Sequence, residues 1–214
     1  MNVLICICSK YPNNLLIECI EKLYNIQVCD ENTYKICVVD SDSSSLMYYD
    51  IVAERFPEVE IHLVKNKHHE PGAWKYIYDL HSKYDLYFCI QDSNIIHTHI
   101  NLSVVDDRTA YTFHNRSGYY WHISIKQKGI ENLEKGTLVN YKHIIDTPFN
   151  LAQHSAFIVN RKTLEDIFIC LPEPPVDKDG ACFYERNYGL YFIIKGFSTL
   201  NLYEHMNKMH LGRI

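Results

Sequence analysis

No apolar run in the sequence approaches the ~18 to 20 residues that a membrane-spanning helix needs. Met1 leads directly into an apolar strand pattern rather than a signal peptide, so the expectation is a soluble, cytoplasmic protein. No basic block is present: 21 Lys and Arg against 26 Asp and Glu give a net charge of −5, and the cations are scattered. That excludes the basic face by which most nucleic-acid or membrane-surface proteins bind. No C-x-x-C pair exists among the 8 cysteines. Cys6, Cys8, Cys37, Cys89 and Cys170 lie inside apolar runs, which favours reduced core thiols over disulfides or a zinc turn. The first strand is not followed by G-x-G-x-x-G, which weakens a dinucleotide site, and the absence of G-x-x-x-x-G-K-[ST] removes a P-loop. Repeats, low-complexity segments and linkers are missing as well.

What remains is a chain of 214 residues, 47% hydrophobic, suited to one globular domain. "NVLICICSK" is short and apolar throughout, as a strand buried on both faces should be. "NNLLIECIEKLYN" places Leu15, Leu16, Cys19, Ile20 and Leu23 at helical spacing. A strand "YKICVVD", a helix over "SLMYYDIVAERF", a strand "VEIHLVKN", a helix beginning after Pro71 and Gly72, and a strand "DLYFCI" follow. Strands alternating with helices predict right-handed βαβ units and an α/β fold, a Rossmann-like three-layer sandwich with a mostly parallel sheet flanked by helices. In the second half, "RTAYTFHN", "GYYWHISIK" and "HSAFIVN" read as shorter strands, with "KGIENLEKGTLVNYKH" irregular or partly helical between them. "RKTLEDIFICL" and "DGACFYERNYGLYFIIKG" read as helices, the second closed by Gly196, and the tail as a short strand with an irregular end.

In open α/β sheets ligands bind beyond the carboxyl ends of the strands. Four strand ends carry polar residues: Ser9, Lys10 and Tyr11; Asp40, Ser41 and Asp42; Asn66 to Gly72, including His69; and Gln91, Asp92 and Ser93. Acids on one shared edge suit ribose hydroxyls and a divalent metal, Tyr11 could stack on a base, and Lys10 could meet a phosphate. Gly72 and Ala73 leave room for backbone or a sugar to approach closely. His97 with His99 forms an H-x-H that could join Asp92 on a metal, and Asp106, Asp107 and Arg108 could contact a donor sugar. Both groups read more readily as surface, the first as lone alternating histidines without a third fixed ligand and the second as a turn or self-paired cluster. Trp121 with Tyr119 and Tyr120 could stack on an acceptor sugar.

The succession of "VVDSDS", "NKHHEPGAWKYIYD" and "YDLYFCIQDS" resembles the nucleotide-sugar half of GT-A-fold glycosyltransferases, in which the last stretch is the DXD-type motif. "HSAFIVNRKTLEDI" followed by "DGACFYERNYGLYF" is similar to their acceptor half. Residues 1–95 would then bind the donor and 96–214 the acceptor, within one domain that a longer protein could contain. Length and the QDS segment are most similar to small glycosyltransferases of large DNA viruses, in particular the N-terminal domain of a chlorovirus enzyme that glycosylates the capsid. The resemblance implies a glycosyltransferase of hexosyl type using a nucleoside diphosphate sugar such as UDP-glucose or UDP-rhamnose. A glycan or glycoprotein would accept the sugar, and the enzyme would work in host cytoplasm. It implies Mn²⁺ or Mg²⁺ held by Asp92, with His205 or, preferably, His210 completing the site. A DXD offers two acids, and Gln91-Asp92-Ser93 offers one.

Ser9, Lys10, Tyr11, Asp40, Asp42, Asn66, His69, Gly72, Gln91 and Ser93 are thus the expected donor contacts, and Asp92 the metal ligand. His154, Ser155 and Arg186 are the expected acceptor contacts. Glu185 would serve as general base if the reaction inverts configuration, with Asp179 second; if it retains, the outcome toward which the resemblance tilts, Glu185 or Gln153 and His154 would position the acceptor instead. A non-catalytic nucleotide- or glycan-binding module and a sugar nucleotidyltransferase are the rival readings.

Overall fold

The computed structural model describes residues 1–25, 33–115, 123–171 and 173–209. Nine strands and six α-helices are present among them. β1 (Asn2–Ser9), α1 (Asn14–Asn25), β2 (Thr33–Asp40), α2 (Met47–Arg55), β3 (Glu60–His62), α3 (His69–Leu80) and β4 (Leu86–Gln91) alternate as expected. β5 (Asn94–Ile96), β6 (Thr109–Thr112), α4 (Ile123–Thr137), β7 (Phe157–Asn160), α5 (Arg161–Cys170), α6 (Lys178–Ile194), β8 (Ser198–Asn201) and β9 (Met206–Lys208) follow.

Seven strands form one sheet in the order β3-β2-β1-β4-β7-β6-β8, and β5 pairs with β9 in a separate ribbon. β1 runs parallel to β2 and β4, and β2 to β3. β7 enters antiparallel beside β4 and β6, and β8 restores a parallel pair with β6. The sheet therefore continues unbroken across the two halves of the chain. It is the mostly parallel mixed sheet the sequence predicts.

Strand alternation divides the core. Val3, Ile5 and Ile7 of β1 pack with Leu16, Ile20 and Val52 on one face. Leu4, Cys6 and Cys8 pack with Trp74, Ile77, Leu164 and Tyr188 on the other. Because β1 is buried on both faces, it has no polar position to spare until Ser9. The described cysteines are all free, six of them buried, as expected of core thiols. No described helix is long and apolar enough to cross a membrane.

Four elements differ from expectation. α3 starts at His69, before Pro71, because the first turn needs no proline N–H. β3 covers only three of the residues assigned to "VEIHLVKN". The expected strand "GYYWHISIK" fails where it can be seen: from Ile123 the chain is helical, and 118–122 lie outside the described residues. Buried Lys126, Gly129, Ile130 and Leu133 recur at helical spacing there. Gly129 faces Leu190 and Asn187 of α6 so closely that a Cβ would lie 3.2 Å from Leu190 and 3.0 Å from Asn187, which lets the helices cross. The tail holds a second strand, β9, which returns to β5 with Met206 opposite Ile96 and Lys208 opposite Asn94.

Candidate active site

The parallel register fixes the edge. Ser9 lies opposite Asp40 and Cys8 opposite Gln91, so β1, β2 and β4 end together. Backbone bonds then stitch the emerging chain: Ser41 N–H donates to Ser9 O at 2.8 Å, Asn66 N–H to Asp40 O at 3.0 Å, and Asp92 N–H to Cys8 O at 3.1 Å. Antiparallel β7 brings its amino end to the same edge, which adds His154 and Ser155. Seven described non-glycine residues have positive φ, and six of them lie on these edge loops: Tyr11, Asp42, Lys65, His69, His154 and Ser155. Backbone strain of this kind, of order 1–3 kcal/mol per residue, persists where tertiary structure over-determines it and concentrates at functional sites.

Asp92 sits in the floor of the edge. Its Oδ2 accepts from Ser9 Oγ at 2.8 Å, and the Ser93 hydroxyl and Lys10 N–H also bond it. Burial nonetheless raises its pKa above the usual aspartate range. The β5–β9 ribbon delivers Lys208, whose ammonium donates to Gln91 Oε1 and Ser93 Oγ, the side chains on either side of Asp92. Gln91 Nε2 in turn donates to Glu70 Oε1 of α3. Burial lowers the Lys208 pKa while Asp92 and Glu70 oppose that shift.

Other expected donor residues divide into two kinds. Tyr11 is 63% exposed, with Lys10 Nζ 5.3 Å from its ring centroid, so both face solvent at the rim. Asp40 is 2% exposed, and its oxygens accept from Asp42 N–H and Ser43 N–H, each at 3.1 Å, and from Tyr49 Oη at 3.0 Å. Asp40 therefore holds the 41–43 turn and shapes the edge. Asn66 Oδ1 accepts from His68 N–H at 3.0 Å, while its Nδ2 reaches His69 O at 2.6 Å. Gly72 does provide room for close approach, but the space is filled by Asn66 and the His68 Cβ of the protein's own loop, not left for a sugar. His69 has its pKa lowered by burial, and the charges of Glu70, Lys178, Lys10 and Asp177 act on it.

Among the residues expected on the acceptor side, Glu185 lies on α6 with its side chain 21% exposed. Its pKa is raised by burial against Arg186 and a bond from the His154 N–H. Ser155 is buried, and its carbonyl accepts from Trp74 Nε1 at 3.1 Å, which fixes the strained 154–155 turn against α3. Arg186 corrects the expectation of an acceptor contact. It is 2% exposed and donates to Cys182 O at 2.5 Å and to Glu185 Oε2 at 3.3 Å, so it supports Glu185 from inside the protein. Asp179 lines a 690 Å³ cleft with Asp177, Phe183 and Tyr184, and Glu185 is not among the residues lining it.

The remaining candidates fall elsewhere. Asp107 pairs with Lys162 at 2.6 Å, Asp106 accepts from Arg108 N–H, and Arg108 donates to Lys195 O, all near the start of β6 and far from the edge its end reaches. His205 Nδ1 lies 3.0 Å from Thr98 Oγ1 on the exposed side of the ribbon. His210 and residues 119–121 lie outside the described residues. Sequence reading missed Glu70 and Lys208.

Among the described residues, the surroundings of Asp92 fit a divalent cation poorly. One carboxylate is offered, one of its oxygens is already bonded, and an ammonium rests on the two neighbouring side chains. A dication there would meet the like charge of Lys208 at close range. Among the described residues, the group whose ligand atoms all lie within 4.8 Å of one another, and which could hold a divalent metal, is Cys37, Glu60, His62 and His81.

No protein-family model matches the sequence, and no characterised protein matches it significantly. Solved structures do match the fold. The chain superposes on S. aureus TarS with a TM-score of 0.55 at 10% identity, covering 96% of this chain and 36% of that one. TarS 1-349 in complex with UDP-GlcNAc gives 0.54 at 13% identity over 100% and 60% of the two chains. The mannosyltransferase PcManGT from Pyrobaculum calidifontis, in complex with GDP-Man and Mn²⁺, gives 0.52 at 13% identity over 93% and 54%. The fold is that of these GT-A-like glycosyltransferases. The chain spans between 36% and 60% of their lengths.

Proposed function

We propose that the chain transfers a hexose from a nucleoside diphosphate sugar, a UDP-sugar such as UDP-glucose or UDP-rhamnose, to a hydroxyl of a glycan or glycoprotein. The observation that carries this reading is the placement of Lys208 and Asp92 at the edge where β1, β2 and β4 end together, to which β7 also brings the strained 154–155 turn that bonds Glu185 through the His154 N–H. Neighbours of the same fold hold nucleotide sugars, UDP-GlcNAc in one and GDP-Man in another, which supports the choice of donor. The acceptor class comes from the sequence resemblance to capsid-glycosylating viral enzymes.

Residues 1–95, joined at the donor edge by Lys208 of β9, take the donor role, and the rest of 96–214 takes the acceptor role. Tyr11 stacks on the base, and Lys10 and Lys208 face the diphosphate. Asp92 accepts bonds from Ser9 and Ser93 and holds the Lys208 cation at the floor by its charge. During transfer the acceptor oxygen forms a bond to the anomeric carbon, the bond from that carbon to the β-phosphate oxygen breaks, and the nucleoside diphosphate leaves with the bonding pair. A fixed cation stabilises that developing charge, typically the largest single contribution to such a barrier. Here Lys208 supplies it, in place of the Mn²⁺ or Mg²⁺ that a two-acid motif would hold. Glu185 takes the acceptor proton, and its raised pKa keeps it a stronger base than an exposed glutamate. A single displacement with a base inverts the anomeric configuration.

Incubating the protein with a panel of nucleoside diphosphate sugars and following donor consumption by NMR tests the reading. Slow release of nucleoside diphosphate from one donor supports it. Binding without any turnover, with or without acceptor sugars, would reduce the protein to a binding module.

A further inference from the structure

Four side chains converge on the outer strand of the sheet, at the far end of α3 from the donor edge. Residue Cys37 of β2 lies opposite Glu60 of β3 in the parallel ladder, and His62 follows Glu60 by two residues, so the three project from one face. α3 covers that face, and His81, its C-cap, closes the group. We propose that Cys37, Glu60, His62 and His81 bind a zinc ion that ties β3 and the end of α3 to β2.

Glu60 Oε2 is the hub, 3.0 Å from His81 Nε2, 3.5 Å from His62 Nε2 and 3.7 Å from Cys37 Sγ. A tetrahedral zinc with bonds of about 2.0 Å to nitrogen and oxygen and 2.3 Å to sulfur separates its ligand atoms by about 3.3 to 3.6 Å, so the group needs only small adjustments to close on an ion. Two further contacts prepare the ligands. Lys35 binds Glu60 Oε1, which leaves Oε2 for the cluster. Tyr76 Oη lies 3.4 Å from His62 Nδ1 and directs the other ring nitrogen inward. That nitrogen, His62 Nε2, is buried and, among the described residues, has only the long 3.5 Å contact to Glu60 in place of a hydrogen bond, an expense that a metal would remove.

The donor set selects the ion. One thiolate and two imidazoles suit zinc, whereas Mg²⁺ and Mn²⁺ prefer oxygen. Thiolate and carboxylate together neutralise the dication, and Glu60, 40% exposed, gives it a way in. α3 has 12 residues and is about 18 Å long, which separates this site from the His69 and Glu70 end that borders the donor. The ion's role is therefore structural, and the proposal stands independently of the sugar-transfer reading.

Zinc content per chain, measured after equilibration with Zn²⁺ and dialysis, and the absorption of the Co²⁺-substituted protein test it. One equivalent of zinc and a near-ultraviolet thiolate-to-cobalt band are expected, with the band absent in Cys37→Ser. His81→Gln should weaken zinc on the order of a hundredfold, and Tyr76→Phe about tenfold. Asp92→Asn should change none of these. Should Cys37→Ser fail to fold by circular dichroism, the half-buried His81→Gln decides. Substoichiometric zinc in the wild type, zinc affinity unchanged in His81→Gln, or a cobalt band lost in Asp92→Asn would each overturn the proposal.

Discussion

The Lys208 ammonium donates to the side-chain carbonyl of Gln91, across 117 residues of sequence. That contact joins the last described strand to the residue before Asp92, and it places a cation where a two-acid motif would place a metal. Lys208→Met should lower kcat by about 10²- to 10³-fold, the usual cost of deleting one charge stabiliser. EDTA should leave wild-type turnover unchanged at temperatures well below unfolding. Steady-state rates with and without chelator check both.

Burial lowers the Lys208 pKa, so its charge is lost as pH rises through a value below that of an ordinary lysine. The basic limb of the kcat profile should therefore lie below 10.5. Lys208→Arg keeps its charge throughout and should remove that limb, even where the longer fork lowers the maximum rate. A pH–rate profile of the two proteins decides.

The Glu185 pKa is raised, so its basic form disappears as pH falls through a value above the usual glutamate range. An acidic limb displaced upward is expected. Glu185→Gln should lower kcat by about 10²- to 10⁴-fold with little change in donor affinity, as removal of a general base does. NMR of the product anomer should show inversion.

How much of this could be read from the chain varies by element. β1, β2 and β4 declare themselves because strands buried on both faces need unbroken apolar runs, and such runs leave polar residues only at the ends, where Ser9, Asp40 and Asp92 stand. Glu70 was hidden by its neighbour: Pro71 followed by Gly72 reads as the stop of a loop, although an acid just ahead of a proline is also how a helix begins. Lys208 gave no local signal. A lone lysine in a three-residue strand gains meaning only from the pairing of β9 with β5, a contact between distant segments that periodicity does not encode. α4 was misread because its first residues, "ISIK", alternate like the end of a strand while the packing on α6 asks for a helix.

Trp74 Nε1 donates to the carbonyl of Ser155, linking α3 to the strained turn beside Glu185. Trp74→Phe leaves that buried carbonyl short of a donor and should cost about 1–3 kcal/mol. In a protein of this size the melting temperature should fall by about 2 to 12 °C. The KM for acceptor should rise more than the KM for donor, because the 154–155 turn borders the acceptor side. Thermal melts with two-substrate kinetics separate the effects.

Calorimetric titration of UDP into wild type and Lys208→Met, both in EDTA, bears most directly on the donor edge. One UDP per wild-type chain should bind without any divalent metal, and Lys208→Met should weaken it at least about tenfold, a loss of about 1.4 kcal/mol. UDP binding that requires Mn²⁺, or that is equally tight in Lys208→Met, would contradict the assignment of Lys208 as the cation that meets the diphosphate.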